Sequence, residues 1–519
     1  MTADISSDTD GAGAGAHEEQ WFGHPRGLLV LFFAEMWERF SFYGMRGLLV
    51  FYLTKHFLFD DATATGIYAT YGAMVYLTPV IGGLIADRLL GFRRAVIFGA
   101  VLLCLGHLGM AYEGQAAEIV GGVVVRDDLG LQAFYLSIAF IIVGVGFLKP
   151  SISSIVGQLY SIDDPRRDAG FTLFYMGINV GATVAALTCG YLGETYGWAY
   201  GFGLAGLGML SGLITFVRGQ HLFADAGLPP NPRHLSSRSF GISREWLVYA
   251  GGLGGIVAVW LLVQHRELVG QLLSVTSAVV VGGLIWFSIQ RCAPVERDRM
   301  LVVLLLTAVS VVFWSLFEQA GSTMNLFADR NVDREIFGTT IRASQLQFVN
   351  PAFIILLAPV MSALWLQLGN RHLEPSTPMK FAVAVLLVGA GFAALVVGAQ
   401  SAGDSGRVAL GYLVFAYFLH TLGELCLSPV GLSMVTRLSV PRVLGLMMGV
   451  WFLSSSVSHY VAGLIAAMAS IEGGNQAASV DSLQVYSTTF LQVAEIAAVV
   501  ALGVLVLTPV LKRRMHVES

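Results

Sequence analysis

Glu35, Glu38, Arg39 and Arg46 lie within residues 28–53, a predominantly apolar run long enough to cross a bilayer. Carboxylates and guanidinium groups held away from bulk water can exchange protons, pair with one another, or grip the charged ends of a small solute. They cannot face lipid. Each costs about 3 kcal/mol at mid-membrane, roughly 12 kcal/mol for all of them, whereas a leucine returns about 0.5 kcal/mol. At about 100° per residue, Glu38, Glu35, Arg46, Arg39 and Tyr43 fall within an arc of roughly 140°. Glu35 and Arg39 are one turn apart and able to pair. This ionic face either lines a wet cavity or fastens helices together as a structural ion-pair network.

Other deep charges favour the cavity. Lys149 sits in Gly144-Val145-Gly146-Phe147-Leu148-Lys149-Pro150, where glycines permit close helix approach and Pro150 loosens the helix. Glu318 follows Phe313-Trp314-Ser315-Leu316-Phe317, and Glu424 precedes the helix-bending Pro429. Basic groups thus dominate one wall of the expected cleft and acids the other. That polarity suits a zwitterion, its carboxylate towards Arg46 and Lys149 and its amine towards Glu424. Asn179 and Asn350 add amides, Tyr43, Tyr76 and Tyr175 hydroxyls, and Trp314 and Trp451 an apolar wall. Taken singly, each of these is also an ordinary core residue. His107, His420 and His459 are intramembrane too; His420, one turn from Glu424, is either a proton relay or a satisfied core histidine.

The elements that must position these groups follow from composition. The chain has 519 residues, 55% apolar and only 12% charged, with long apolar runs that do not alternate. It reads as an all-α polytopic membrane protein, not a β-barrel. Six spans are expected at about 25–54, 64–88, 92–112, 130–158, 168–192 and 198–217. A polar, proline-containing linker leads to an extra pair at about 243–263 and 268–290. Six more follow at about 299–320, 342–366, 377–398, 406–436, 442–469 and 484–511. The expected units are a disordered tail (1–22), a first six-helix bundle (23–219), a linker (220–242), an inserted, lipid-facing pair (243–291) and a second bundle (292–516). With fourteen spans, most arginines and lysines of the loops gather on one side, Lys55, Arg126, Arg330 and Arg334 being exceptions, which places both termini in the cytoplasm. Residues 119–125 read as a small hairpin on the other side.

Exclusions are also informative. A net charge of −4 argues against a nucleic-acid partner, and the four cysteines lack metal-ligand spacing. No P-loop is present, so ATP is not the direct energy source, and no nucleophile–base pair suggests membrane catalysis. Gly82-Gly83-Leu84-Ile85-Ala86-Asp87-Arg88 and Gly91-Phe92-Arg93-Arg94, at the cytoplasmic ends of spans two and three, read as a gate or brace.

Glu35-x-x-Glu38-Arg39-Phe40-x-x-Tyr43 resembles the ExxERFxYY motif of the proton-coupled oligopeptide transporters, a branch of the major facilitator superfamily. Residues 82–97 resemble that family's GGxxADxxxG signature, and Phe174-Tyr175-x-x-Ile178-Asn179-x-Gly181 resembles its FYxxxNxG signature. Phe42 stands where the motif has its first tyrosine, and the second span lacks the histidine linked to proton binding in animal relatives. The resemblance implies proton-coupled symport of di- and tripeptides into the cell across the cytoplasmic membrane. It assigns the peptide carboxylate to Arg46 and Lys149 and the amine to Glu424, Asn179 and Asn350. Tyr43, Tyr76 and Tyr175 would contact the peptide, and Trp314 and Trp451 would line side-chain pockets. Glu318 would alternate between pairing with Arg46 and holding a proton, while Glu35, Glu38 and Arg39 exchange partners with Lys149. Protons are then the coupling ion, with no cofactor and no obligatory protein partner. A carrier of another anionic or drug-like solute, or a non-transporting nutrient receptor, would share much of this machinery.

Overall fold

The computed structural model of the chain describes residues 20, 21, 23–161, 163–239, 241–471 and 479–516. The expected tail lies outside these residues apart from Gln20 and Trp21. Six long helices come first: α1 (Arg26–Phe51), α2 (Asp61–Ile85), α3 (Phe92–Met110), α4 (Asp128–Gln158), α5 (Arg167–Tyr196) and α6 (Trp198–Gly219). A short helix, α7 (Pro232–Ser236), sits in the linker before α8 (Arg244–Val263) and α9 (Arg266–Arg291). The second bundle holds α10 (Pro294–Phe317), α11 (Thr323–Asn331), α12 (Val349–Asn370), α13 (Thr377–Ser401), α14 (Leu410–Leu438), α15 (Leu444–Met468) and α16 (Ser479–Arg514).

Thirteen helices among the described residues are long and apolar enough to cross a membrane, α10 and α11 counting as one. Helix α1 makes a fourteenth by length. Its 26 residues span about 39 Å at 1.5 Å per residue. Its charges set it apart in composition, and packing against α5 and α6 keeps them out of lipid. The chain is a polytopic, all-helical membrane protein.

Helix ends follow local chemistry. Asp60 caps α2 by accepting from the Thr63 N–H at 2.9 Å, and Ser243 caps α8. Glu296 accepts from the Ala293 N–H at 3.1 Å, so the ninth span starts at Pro294, earlier than its hydropathy indicates. That span also ends later. A single turn of 3-10 helix, Glu318–Gly321, interrupts it, and the chain continues as α11. The polar run Glu318-Gln319-Ala320-Gly321-Ser322 reads as a terminus in sequence, but the structure makes it a break inside a span. The hairpin is present: residues 118–120 pair antiparallel with 123–125, and Gly121 and Gly122 take φ of 60° and 83°.

Within the first bundle α1 packs on α5 and α6, and α4 on α2 and α3; in the second, α13 packs on α14 and α16, and α10 on α15. Gly82 of α2 meets the Gly146 carbonyl of α4 so closely that a Cβ there would collide with it. The inserted pair is peripheral, α8 lying on α4 and α9 against α10 and α15. The linker is folded onto the first bundle: Arg93 donates to the Ala226 carbonyl at 2.6 Å and also to that of Ala224. Helix α2 meets α15 along Thr65–Tyr76, where Ser456 donates to the Ala73 carbonyl at 2.7 Å.

Candidate functional site

Helix α1 presents Glu35, Glu38 and Arg39 to the interior, each no more than 5% exposed. Arg39 Nε lies 2.9 Å from Glu35 Oε1 and 2.9 Å from Glu38 Oε2. This one guanidinium does not satisfy both acids. Glu35 Oε2 and both Glu38 oxygens have no hydrogen-bond partner. Lys149 Nζ stands 4.1 Å over the Tyr76 ring and makes no ion pair among the described residues. It is close enough to Glu35, Glu38 and Glu318 for their charges to act on it. The members of the expected exchange thus lie within electrostatic reach of one another, with Lys149 outside the pairs that Arg39 makes.

One α-helical turn and three residues along α1, Arg46 reaches across to the second bundle. Its Nη2 donates to Glu318 Oε2, and its Nε donates to the Tyr68 hydroxyl at 2.5 Å. Glu318 sits at the first residue of the break between α10 and α11. Gln319 holds that break, donating from Nε2 to the Ser315 and Ala462 carbonyls (3.0 and 2.9 Å) and accepting from Thr323 Oγ1 at 2.7 Å. Gly321 makes the approach possible, because a Cβ there would run into the Tyr68 hydroxyl and lie 3.2 Å from Arg46 Nη2.

On the other wall, Asn350 Nδ2 donates to Glu424 Oε2 at 3.1 Å and to Thr421 Oγ1 at 3.0 Å. Asn179 donates to the Tyr175 carbonyl of its own helix at 3.1 Å, which leaves its carbonyl oxygen as the atom an amine would meet. Tyr43 lies between the walls, within electrostatic reach of Arg46, Arg39, Glu424 and Glu318. Tyr175 is 42% exposed and within reach of Glu424 and Tyr43. Tyr76, Trp314, Glu318, Ser428, Trp451, Ser455 and His459 line a cavity of about 80 Å³.

Asp87 and Arg88 behave differently from expectation. Both are exposed and make no hydrogen bond or ion pair among the described residues. Contact beneath the bundle passes instead through Arg93, which binds the linker, and Arg94, which pairs with Glu245 of α8 at 2.9 Å. Their position just past the positive-φ Gly91 points them at the linker, whereas Asp87 and Arg88 sit on the solvent side of a π-helical turn. His420 does not form a relay with Glu424. Its Nε2 lies 3.2 Å from the Val388 carbonyl of α13, and the ring packs against Phe392.

Tyr68, Gln319 and His459 were not singled out as site residues from sequence. For Tyr68 a signal exists: Tyr68, Gly72 and Tyr76 recur every four residues, a tyrosine–glycine–tyrosine stripe on one face of α2. Gln319 and His459 carry no such pattern.

The model of the POT family matches residues 93–479. The chain belongs to the POT family. Its relatives include the peptide transporter YePEPT of Yersinia enterocolitica, 37% identical over 95% of this chain and 96% of that one. Dipeptide and tripeptide permease A of Cronobacter turicensis is 32% identical, covering 95% and 94%. Among solved structures, a mutant of the peptide transporter POT in complex with alafosfalin superposes with a TM-score of 0.81 at 34% identity, covering 96% of this chain and 98% of that one. A POT family transporter in complex with 5-aminolevulinic acid gives 0.79 at 31% identity, covering 95% and 98%. The fold is accordingly of the major facilitator type, and POT family members are transporters, not enzymes.

Proposed function

We propose that this POT family member is a proton-coupled symporter that brings di- and tripeptides into the cell by alternating access. The observation that carries the reading is the Arg46–Glu318 pair, a cation of the first bundle held by a carboxylate of the second in the middle of the cleft. A peptide carboxylate and Glu318 compete for the same guanidinium. Protonating Glu318 removes one competitor, so Arg46 becomes available when a proton has arrived. Lys149 supplies a second cation for the carboxylate. Glu424, with Asn350 and Asn179 beside it, receives the amine, and Tyr43, Tyr76 and Tyr175 hold the peptide between. Trp314 and Trp451 wall the side-chain pocket. Reading the two backbone ends leaves the side chains weakly selected. Glu35, Glu38 and Arg39 exchange partners with Lys149 during the same cycle, in keeping with three carboxylate oxygens that lack a hydrogen bond.

The moving units in this reading are residues 23–219 and 292–516, with 243–291 riding on their outside. The side bearing both termini is the cytoplasm, because the basic loops lie there, and the membrane is the bacterial cytoplasmic membrane. Protons are the coupling ion. One proton falling through 100 mV supplies about 2.3 kcal/mol, enough for roughly fiftyfold accumulation of a net-neutral peptide.

Uptake of labelled dialanine into proteoliposomes tests this. Accumulation above equilibrium is expected only with an inward proton gradient or an inside-negative potential. Saturable exchange without accumulation would leave an uncoupled carrier, and saturable binding alone a receptor. A second reading keeps the cleft and changes the cargo, since 5-aminolevulinic acid, found in a related structure, also bears an amine and a carboxylate. No response to dialanine with uptake of that amino acid would favour it.

A further inference from the structure

His459 of α15 is the one histidine at the cleft's charged centre. Its Nδ1 lies 3.8 Å from Glu318 Oε2, the same oxygen that receives Arg46 Nη2. The ring packs edge-on against Tyr76, with centroids 4.7 Å apart, and is 8% exposed. Gly72 makes its seat: a Cβ on that residue would stand 2.8 Å from the imidazole Cδ2. Neither ring nitrogen has a hydrogen-bond partner among the described residues, yet the residue lines the small cavity with Glu318, Trp314 and Trp451. His107 and His420 have no such setting. His107 is enclosed in the first bundle with both nitrogens unpartnered, and His420 faces α13.

Charged and titratable groups face His459 from four neighbouring elements. Glu318 comes from the break after α10, Arg46 from α1, Lys149 from α4 and Tyr76 from α2. While Arg46 occupies Glu318 Oε2, two cations surround the imidazole and a third positive charge there is opposed. When Arg46 turns to a substrate carboxylate, that opposition falls and Glu318 loses its counter-ion. A movement of about 1 Å brings Nδ1 to hydrogen-bond distance of the freed oxygen.

We infer that His459 is a second proton-binding group of the coupling site, sharing with Glu318 the proton that accompanies each peptide. The proton enters from water onto either Glu318 Oε2 or His459 Nδ1. The two forms, carboxylic acid with neutral imidazole and carboxylate with imidazolium, contain the same atoms and the same net charge. In the second form the imidazolium donates its Nδ1–H to Glu318 and replaces Arg46 as the counter-ion. Two interacting sites titrate as a pair, so the pH at which uptake is half-maximal belongs to both. A pair that shares one proton holds it more tightly than either group alone, so the midpoint lies nearer neutrality than for the carboxyl by itself.

The inference rests on the symport reading, and the test separates the two. Proton-driven dialanine uptake is measured against external pH for the native protein and for His459→Asn, with gradient-free exchange recorded for both. If the native protein accumulates no peptide, the symport reading fails. The expected result is native accumulation, exchange retained in the variant, and a midpoint about one pH unit lower in the variant. An unchanged midpoint overturns the assignment, and so does loss of exchange together with driven uptake, which marks a purely structural ring at the α2–α15 joint. If the variant does not reach the membrane, 15N NMR of histidine-labelled native protein in liposomes reads the same event. Dialanine added at a pH that supports driven uptake should raise the imidazolium share of one histidine's signals; no change overturns the assignment.

Discussion

Two sets of ion pairs join the bundles, and they are built on opposite principles. On the side away from the termini, Arg330 of α11 grips both oxygens of Asp61 at 2.6 and 2.7 Å and also donates to the Tyr486 hydroxyl at 3.0 Å. Asp61 accepts the Ile471 N–H at 3.3 Å as well. Nearby, Lys55 and Arg334 share Asp329 at 2.7 and 3.2 Å, while Glu194 accepts from the Ser344 N–H and hydroxyl at 2.9 and 2.5 Å. The Arg330–Asp61 pair of this latch is bidentate, with both carboxylate oxygens satisfied. The mid-span cluster is neither, with three carboxylate oxygens lacking a hydrogen bond and Lys149 lacking a carboxylate. A satisfied pair holds one geometry, whereas an unsatisfied set stays ready to accept new partners. The joining bonds lie from mid-span to the latch, and no hydrogen bond or ion pair among the described residues ties α4 to α14. The bundles are thus tied to one another by polar contacts at mid-span and at the latch.

Three substitutions sharpen this contrast, in falling order of effect. Glu318→Gln should abolish proton-driven accumulation of dialanine while gradient-free exchange continues; normal accumulation by this variant would remove Glu318 from coupling. Asp61→Asn removes the carboxylate charge that Arg330 grips with both oxygens, at a cost of up to about 3 kcal/mol to the latched state. Distances between spin labels on the latch-side ends of α1 and α11 should lengthen in a larger fraction of molecules, with exchange retained. An unaltered distance distribution would mean that the latch does not hold the conformation. Asp87→Asn, at an exposed residue without partners, should change uptake by less than about twofold. A tenfold loss would restore the gate suggested by its sequence neighbourhood.

The two regions also differed in how much could be read beforehand. The charged stripe of α1 was legible because lipid forbids such residues, so their spacing alone implied a common interior face. Lys149, Glu318 and Glu424 were visible for the same reason. Phe42, the departure from the family motif, keeps a ring role beside Arg39 and stacked on Tyr71. The latch was not legible, because Lys55, Asp61, Glu194, Asp329 and Arg330 sit at span ends, where charges are ordinary and give no signal of pairing. Arg330 was even an exception to the charge asymmetry used to orient the chain. Gln319 and His459 were hidden differently. Each does its work through a residue of another helix, the Ala462 carbonyl and Glu318 respectively, or through the absence of a side chain at Gly72.

From sequence alone came the span count, the inserted pair, the hairpin at 119–125 and the common interior face of the α1 charges. All depend on properties a residue carries by itself: its cost in hydrocarbon, its period along a helix and its tolerance of positive φ. Tertiary structure alone decided which charges pair between helices. It matched Arg46 with Glu318 and Tyr68, left Lys149 without a carboxylate, turned Asp87 and Arg88 outward and brought His459 to Glu318. Pairing across the bundles is a property of distance between helices far apart in the chain, whereas periodicity within one helix reveals only pairs on that helix, such as Glu35 with Arg39.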